Sequence, residues 1–316
     1  MQEALSTEVL EQRATRLLVA SPVGRASMDD SLPAIHALVS RSLDAYGGIL
    51  LRGFDKLAPA GFNALAASFG RQLLRYEFAS TPRTKIEAAV YSSTEYPAHQ
   101  WIDQHNEQSY TREWPRYIWF FCDRSAKEGG ATPVADSREV YRRLSPDIRE
   151  RFARKQVRYV RNYGNGLDVP WQQVFGTEAR DAVEAFCRQR SIQYEWRGDD
   201  GLRTWQVCQS ETAHPLTQET VWFNQAHLFH VSGLPPAVRD ALLAVVDEDE
   251  LPRNAYYGDG SPIEADVLDE IRAVYQESML SFPWREGDVM MLDNVLMSHG
   301  RAPFTGERRV LVAMSG

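Results

Sequence analysis

The chain has 316 residues, 43% of them hydrophobic and 25% charged, the balance of a soluble globular protein with room for a sizeable core. A formal net charge of −8 excludes nucleic acid as the default partner, because phosphate binding needs a basic patch; the short cluster Arg149 to Lys155 is broken by Glu150 and reads as a solvated helix face. No stretch is apolar enough for a signal peptide or a membrane span, and Cys122, Cys187 and Cys208 suit neither a disulfide framework nor a zinc ribbon, so a cytoplasmic protein with reduced thiols is expected.

No internal repeat or low-complexity linker divides the chain. Residues 33–46 carry a helical period in Pro33, Ile35, Leu38, Val39 and Leu43, stopped by the C-cap signal Tyr46-Gly47-Gly48. Gly48 to Phe54 reads as a buried strand, and Phe62 to Phe69 as a second helix ended by Gly70. Tyr117-Ile-Trp-Phe-Phe-Cys122 is aromatic and β-branched, which favours a pleated surface. Lys127 to Thr132 supplies a turn, Val140 to Leu144 a short helix with a fresh start at Ser145-Pro146, Gln156 to Tyr163 a strand, and Glu178 to Arg190 a helix. Near the end, Gly287 to Asn294 and Arg308 to Met314 are apolar strands with Pro303 and Gly306 between them, which predicts a hairpin-like pair. Many short strands with early helices predict an all-β core with helical decoration, and no glycine-rich phosphate loop appears on a strand-to-helix turn.

The chemistry centres on Gln104-His105-Asn106-Glu107-Gln108-Ser109-Tyr110. On an extended strand, residues two apart point the same way, so His105 and Glu107 can share one ion. His299, in Met297-Ser-His-Gly300, offers a third ligand, and two histidines with one carboxylate on one face of an octahedron leave three positions open for oxygen and a chelating substrate. A His and a Glu two apart are often plain polar neighbours, so this pair is weak alone. Arg309, ten residues beyond His299 in an otherwise apolar strand, must find an anion or suffer desolvation, and a guanidinium there suits a ligand carboxylate; the Thr132 hydroxyl, after the Gly129-Gly130 turn, can bond the same group. His227 and His230 form another possible pair, for which roles in the framework or directly behind the metal ligands are expected, while His36, His99 and His214 show no partner pattern.

With these pieces in order, the sequence resembles the taurine dioxygenase/clavaminate synthase family of iron(II), 2-oxoglutarate-dependent oxygenases. The matching segments are Gly47 to Phe54, His105 to Tyr110, Gly129 to Thr132, Asp293-Asn294, His299 to Phe304 and Arg308 to Met314. Within that family, Glu107 in place of Asp, Pro170 to Glu178 and Trp222 to His230 look most like syringomycin-type amino-acid β-hydroxylases. The resemblance implies a double-stranded β-helix (a cupin-like jelly roll) with N-terminal helices and a large helical insertion at about 165–280, all in one catalytic domain. It implies iron(II) on His105, Glu107 and His299, with 2-oxoglutarate and O2 as cosubstrates and Thr132 and Arg309 holding the far carboxylate. It implies hydroxylation of an unactivated C–H of an amino acid or derivative, free or tethered to a peptidyl carrier protein, in natural-product (antibiotic) biosynthesis; relatives redirect the same chemistry to desaturation or ring closure. Asn224 and Gln225 are candidate substrate donors. Taurine dioxygenases carry a second arginine four residues after the clamp arginine, where Ala313 stands here, which disfavours taurine; Glu107 fills the position that related halogenases leave open for chloride. A zinc hydrolase or lyase and a non-catalytic β-barrel binding module remain the rival classes, and the sequence specifies no oligomeric state.

Overall fold

In the structure, a computed structural model, residues 4–74, 84–93, 96–164 and 166–316 are described. The chain opens with β1 (Leu5–Gln12), β2 (Thr15–Pro22), α1 (Leu32–Tyr46), β3 (Gly48–Leu51) and α2 (Pro59–Ala67). Next come β4 (Lys85–Glu87), β5 (Val90–Ser92), β6 (Ile102–His105), β7 (Tyr117–Arg124), β8 (Glu128–Gly129), β9 (Val134–Asp136), α3 (Ser137–Arg143) and α4 (Pro146–Lys155). The middle holds β10 (Val157–Tyr163), α5 (Trp171–Phe175), α6 (Arg180–Gln189), β11 (Gln193–Arg197), β12 (Gly201–Cys208), β13 (Glu211–Ala213) and β14 (Thr220–Trp222). It continues through α7 (Ala226–Phe229), α8 (Pro236–Leu243), β15 (Arg253–Tyr257) and α9 (Ala265–Ser278). The last strands are β16 (Val289–Asp293), β17 (Met297–Arg301), β18 (Phe304–Thr305) and β19 (Arg309–Ser315).

An eight-stranded sheet in the order β1-β2-β3-β16-β7-β19-β5-β4 dominates. Its central strands are apolar on both faces, which is why they read as continuous hydrophobic runs. One face presents Ile49, Trp119, Phe121, Met291, Leu311 and Ala313 to Ile35, Leu38 and Leu43 of α1 and Phe62 and Leu65 of α2. The other presents Leu50, Ile118, Phe120, Met290, Val310 and Val312 to a second cluster that includes Val134 of β9 and Met297 of β17. Each fully buried side chain of this kind contributes roughly 1.5–3 kcal/mol. Strands β6, β17 and β9 form a three-stranded sheet, in that order. The metal-ligand candidates of β6 and β17 therefore come from the smaller sheet, against the inner face of the larger one.

Three expectations change. The strands Gly287 to Asn294 and Arg308 to Met314 are not a hairpin: β16 and β19 both pair with β7, which lies between them, because β17 leaves for the other sheet in the interval. The N-terminal helices follow a β-hairpin rather than beginning the fold. The middle segment is not purely helical, since β11-β12-β10-β15 form a four-stranded sheet that starts at Val157; residue 165, the expected start of the insertion, lies outside the described residues.

Candidate active site

Antiparallel pairing sets His105 of β6 directly opposite His299 of β17. Side chains in that relation are neighbours on one face of a sheet, and the two imidazole centroids lie 4.4 Å apart. The His105 Nδ1–H donates to the Asp103 carbonyl at 2.8 Å, which fixes the ring and turns the Nε2 lone pair inward. Phe120 of the large sheet stands edge-on to His299, with centroids 4.9 Å apart.

Glu107 does not arrive by strand alternation. β6 ends at His105, and Glu107 sits in the following turn. Its backbone is held instead by the side-chain amide of Asn294, which is fully buried. The Glu107 N–H donates to Asn294 Oδ1 at 2.7 Å, and Asn294 Nδ2 donates to the Glu107 carbonyl at 3.0 Å and the Pro115 carbonyl at 2.9 Å. One amide thus replaces a lost strand neighbour and satisfies backbone groups that would be costly to bury unpaired. The Glu107 carboxylate comes within 3.8 Å of His299 Nε2, and one ligand atom from each of His105, Glu107 and His299 falls within 4.8 Å of the others. Two imidazole nitrogens and a carboxylate oxygen suit a divalent first-row metal with positions left open. In a second acidic and imidazole group, Asp44, His214 and Asp293, the Arg116 guanidinium already supplies a cation, its Nη2 2.6 Å from His214 Nε2 and 2.8 Å from Asp293 Oδ2.

His105, His299, Phe120, Thr132, Ser93 and Arg308 line one cavity together with Val310 and Val312. The arginine here is Arg308, not Arg309. Arg308, Val310, Val312 and Met314 share the inward face of the strand, whereas Arg309 shares parity with Leu311 and Ala313 on the outer face. There Arg309 pairs with Asp123, its side chain 55% exposed. Arg308 donates through Nε to the Gly130 carbonyl at 2.8 Å and through Nη2 to the Thr132 hydroxyl at 3.3 Å, and Gly130 admits it: a Cβ at that position, where φ is +70°, would stand 3.0 Å from Arg308 Cδ. Among the described residues no carboxylate pairs with Arg308, and burial together with the charge of Arg301 pushes its pKa down to about 10. A cation so placed calls for an anionic ligand.

Asn224 and Gln225 are not among the residues lining that cavity. Both are buried, and their amides are spent on the framework: Asn224 bridges the Ser210 carbonyl (2.7 Å) and the Ala226 N–H (3.0 Å), and Gln225 Nε2 donates to the Asn106 carbonyl at 2.8 Å. His227, expected to be structural, donates from Nε2 to the Gln104 carbonyl at 2.9 Å and so props β6 from outside. Sequence reasoning missed Arg308, Ser93, Asn294 and Trp284, whose indole N–H donates to Thr132 at 3.0 Å. Strand parity from His299 was not a guide to Arg308, since the two lie in different sheets; parity with Val310 and Val312 was.

Sheet architecture and site together define a metal-dependent dioxygenase of the iron(II), 2-oxoglutarate class. The chain belongs to the taurine catabolism dioxygenase TauD, TfdA family, whose model matches residues 15–314. It is 41% identical over 297 residues to the dapdiamide synthesis protein DdaC of Enterobacter agglomerans, covering 94% of this chain and 90% of that protein. A clavaminate synthase-like protein of Arabidopsis thaliana is 29% identical over 279 residues, 85% of this chain and 81% of that one. The fold is shared with PvcB of Pseudomonas aeruginosa, at a TM-score of 0.59 and 15% identity over 100% of this chain and 92% of that chain. It is shared too with a taurine dioxygenase of Burkholderia xenovorans, at a TM-score of 0.57 and 16% identity over 99% and 89%. The hydrolase, lyase and binding-module readings fall with the family assignment.

Proposed function

We propose that His105, Glu107 and His299 hold iron(II), and that Arg308 and Thr132 receive the far carboxylate of 2-oxoglutarate. The observation that carries this is the Arg308 cation, without a carboxylate partner among the described residues, in the cavity wall shared with both imidazoles. The bound metal supplies the redox chemistry that couples decarboxylation of 2-oxoglutarate to attack on a substrate C–H. The protein's own residues orient and exclude. His105 is fixed by Asp103 and Glu107 by Asn294, while Phe120, Val310 and Val312 keep the cavity walls apolar. We read the two facing sheets as a double-stranded β-helix and the whole chain as one catalytic domain in which the segment from about 165 to 280 is an insertion. The substrate is an amino acid or amino-acid derivative, free or carrier-bound, hydroxylated during natural-product biosynthesis; the likeness to a dapdiamide synthesis protein supports that setting. Four residues beyond Arg308 stands Val312, apolar and in the cavity wall, which leaves no second arginine there for a sulfonate.

Two arginine variants test the clamp. Arg308→Met should weaken 2-oxoglutarate binding to the iron(II) protein about 10- to 100-fold, the worth of a charge-assisted pair of hydrogen bonds. Arg309→Met should leave it within about twofold, since exposed pairs are worth little. Anaerobic titration of the visible charge-transfer band reads both, and equal weakening by the two variants would return the clamp to Arg309. A succinate-release screen against free and carrier-bound amino acids then identifies the substrate, and succinate formation indifferent to every amino-acid substrate offered contradicts that class.

A further inference from the structure

We infer that Trp284 is a positioning residue that fixes the direction of the Thr132 hydroxyl hydrogen, and thereby makes the inner end of the cavity selective for an ionised carboxylate. This rests on the co-substrate reading given above. A threonine hydroxyl has two lone pairs and one hydrogen. The Thr132 oxygen receives the indole N–H of Trp284 at 3.0 Å and an Nη2–H of Arg308 at 3.3 Å. Indole and guanidinium nitrogens donate and never accept. Neither neighbour can take the hydroxyl hydrogen, so both lone pairs are occupied and the hydrogen is turned to a third direction. Thr132 is 2% exposed and lines the cavity, so that direction serves a ligand rather than bulk water.

The indole itself is held. It is buried edge-on to Phe282, with centroids 5.3 Å apart, and Arg52 pins the intervening residue by donating to the Pro283 carbonyl at 2.9 Å while its Nη2 pairs with Asp288 at 2.6 Å. Tryptophan at this position therefore does what phenylalanine could not: it adds a fixed donor that removes one of the orientations open to the hydroxyl. Thr132 O–H and the remaining Arg308 N–H groups then present only donors to the ligand end. A carboxylate accepts from all of them, whereas a primary amide would turn N–H against N–H. Specificity of this origin is large, because a mismatched polar group stays unpaired in an enclosed site.

The test is a double-mutant cycle on the iron(II)-loaded protein under anaerobic conditions, reading the dissociation constant of 2-oxoglutarate by calorimetry. Trp284→Phe should raise it about three- to tenfold, the worth of one ordered hydrogen bond. Thr132→Val should raise it at least as much, and the double variant should match Thr132→Val alone, because Trp284 acts only through that hydroxyl. Effects that simply multiply, or a Trp284→Phe protein that binds like the parent, overturn the inference. Site-specific replacement of Trp284 by benzothienylalanine, which keeps the shape without the N–H, gives the same reading if the phenylalanine variant does not fold. The 5-amide of 2-oxoglutarate should bind the parent at least 100-fold more weakly than the acid, with that ratio shrinking in Thr132→Val; an unchanged ratio also counts against the inference. A parent protein that fails to bind 2-oxoglutarate at all refutes the co-substrate reading instead, so the two failures are told apart.

Discussion

At Glu107 a single buried amide decides where a carboxylate goes. Asn294 bonds both the N–H and the carbonyl of Glu107, so the turn after β6 has both of that residue's backbone groups tied down. Nothing in the spacing of His105 and Glu107 reveals that arrangement; strand alternation would bring the two together, whereas the structure does so through a turn after β6. Arg309 shows the converse. Either arginine of the pair Arg308-Arg309 satisfies the argument that a cation in an apolar strand needs an anion, and only the face assigned to Val310 and Val312 separates them. His227 carries a consequence of its own. Burial pushes its pKa from 6.5 down to about 3, so it stays neutral in the folded protein. The folded value lies below the unfolded one, hence its contribution is complete above pH 6.5 and is lost as the pH falls toward 3. Between pH 6.5 and 5 that loss is on the order of 2 kcal/mol. Replacing His227 with Gln, which keeps a donor for the Gln104 carbonyl but does not ionise, should flatten urea-unfolding stability over this range in chelator-treated protein. Parallel pH profiles for the two proteins would show that His227 is not protonated on unfolding.

Elements were legible wherever local signals agree. The helix over residues 33–46 matches α1 closely because its apolar period, Pro33 in the first turn and the glycine stop all point the same way. Strand partners were not legible, since β16, β7 and β19 are apolar on both faces and periodicity says nothing about which lies between the others. Gly47 joins the two layers. It closes α1 at φ +67°, and a Cβ there would stand 2.6 Å from Met297 Cγ and 3.2 Å from Leu296 Cβ. Met297 begins β17, two residues before His299. Gly47→Ala should therefore cost about 1–3 kcal/mol from the left-handed backbone and crowding combined. Because the displaced strand carries His299, the same variant should weaken metal binding, which Mn(II) titration followed by electron paramagnetic resonance can measure. Lower stability with unaltered Mn(II) affinity would mean that the helix end and β17 are mechanically independent.

Across the whole molecule the proposed ligand groups are divided between two sheets. His105 and His299 belong to the three-stranded sheet with β9, whereas Arg308 adjoins β19 of the eight-stranded sheet. On the proposed assignment, metal alone would join β6, β17 and the turn at Glu107, and a dicarboxylate held by Arg308 would tie that sheet to the larger one. Ligands that bind only the folded state stabilise it by mass action, about 2.7 kcal/mol at a hundred times the dissociation constant. Thermal unfolding under anaerobic conditions should accordingly show two separable increments. Iron(II) or Mn(II) should raise the Tm by a few degrees, and 2-oxoglutarate should add a comparable rise only once metal is present. Glu107→Ala should lose the first increment and, with it, most of the second. If 2-oxoglutarate stabilised metal-free protein as well as metal-loaded protein, its binding would not run through the triad, and the division of labour between the two sheets would have to be redrawn.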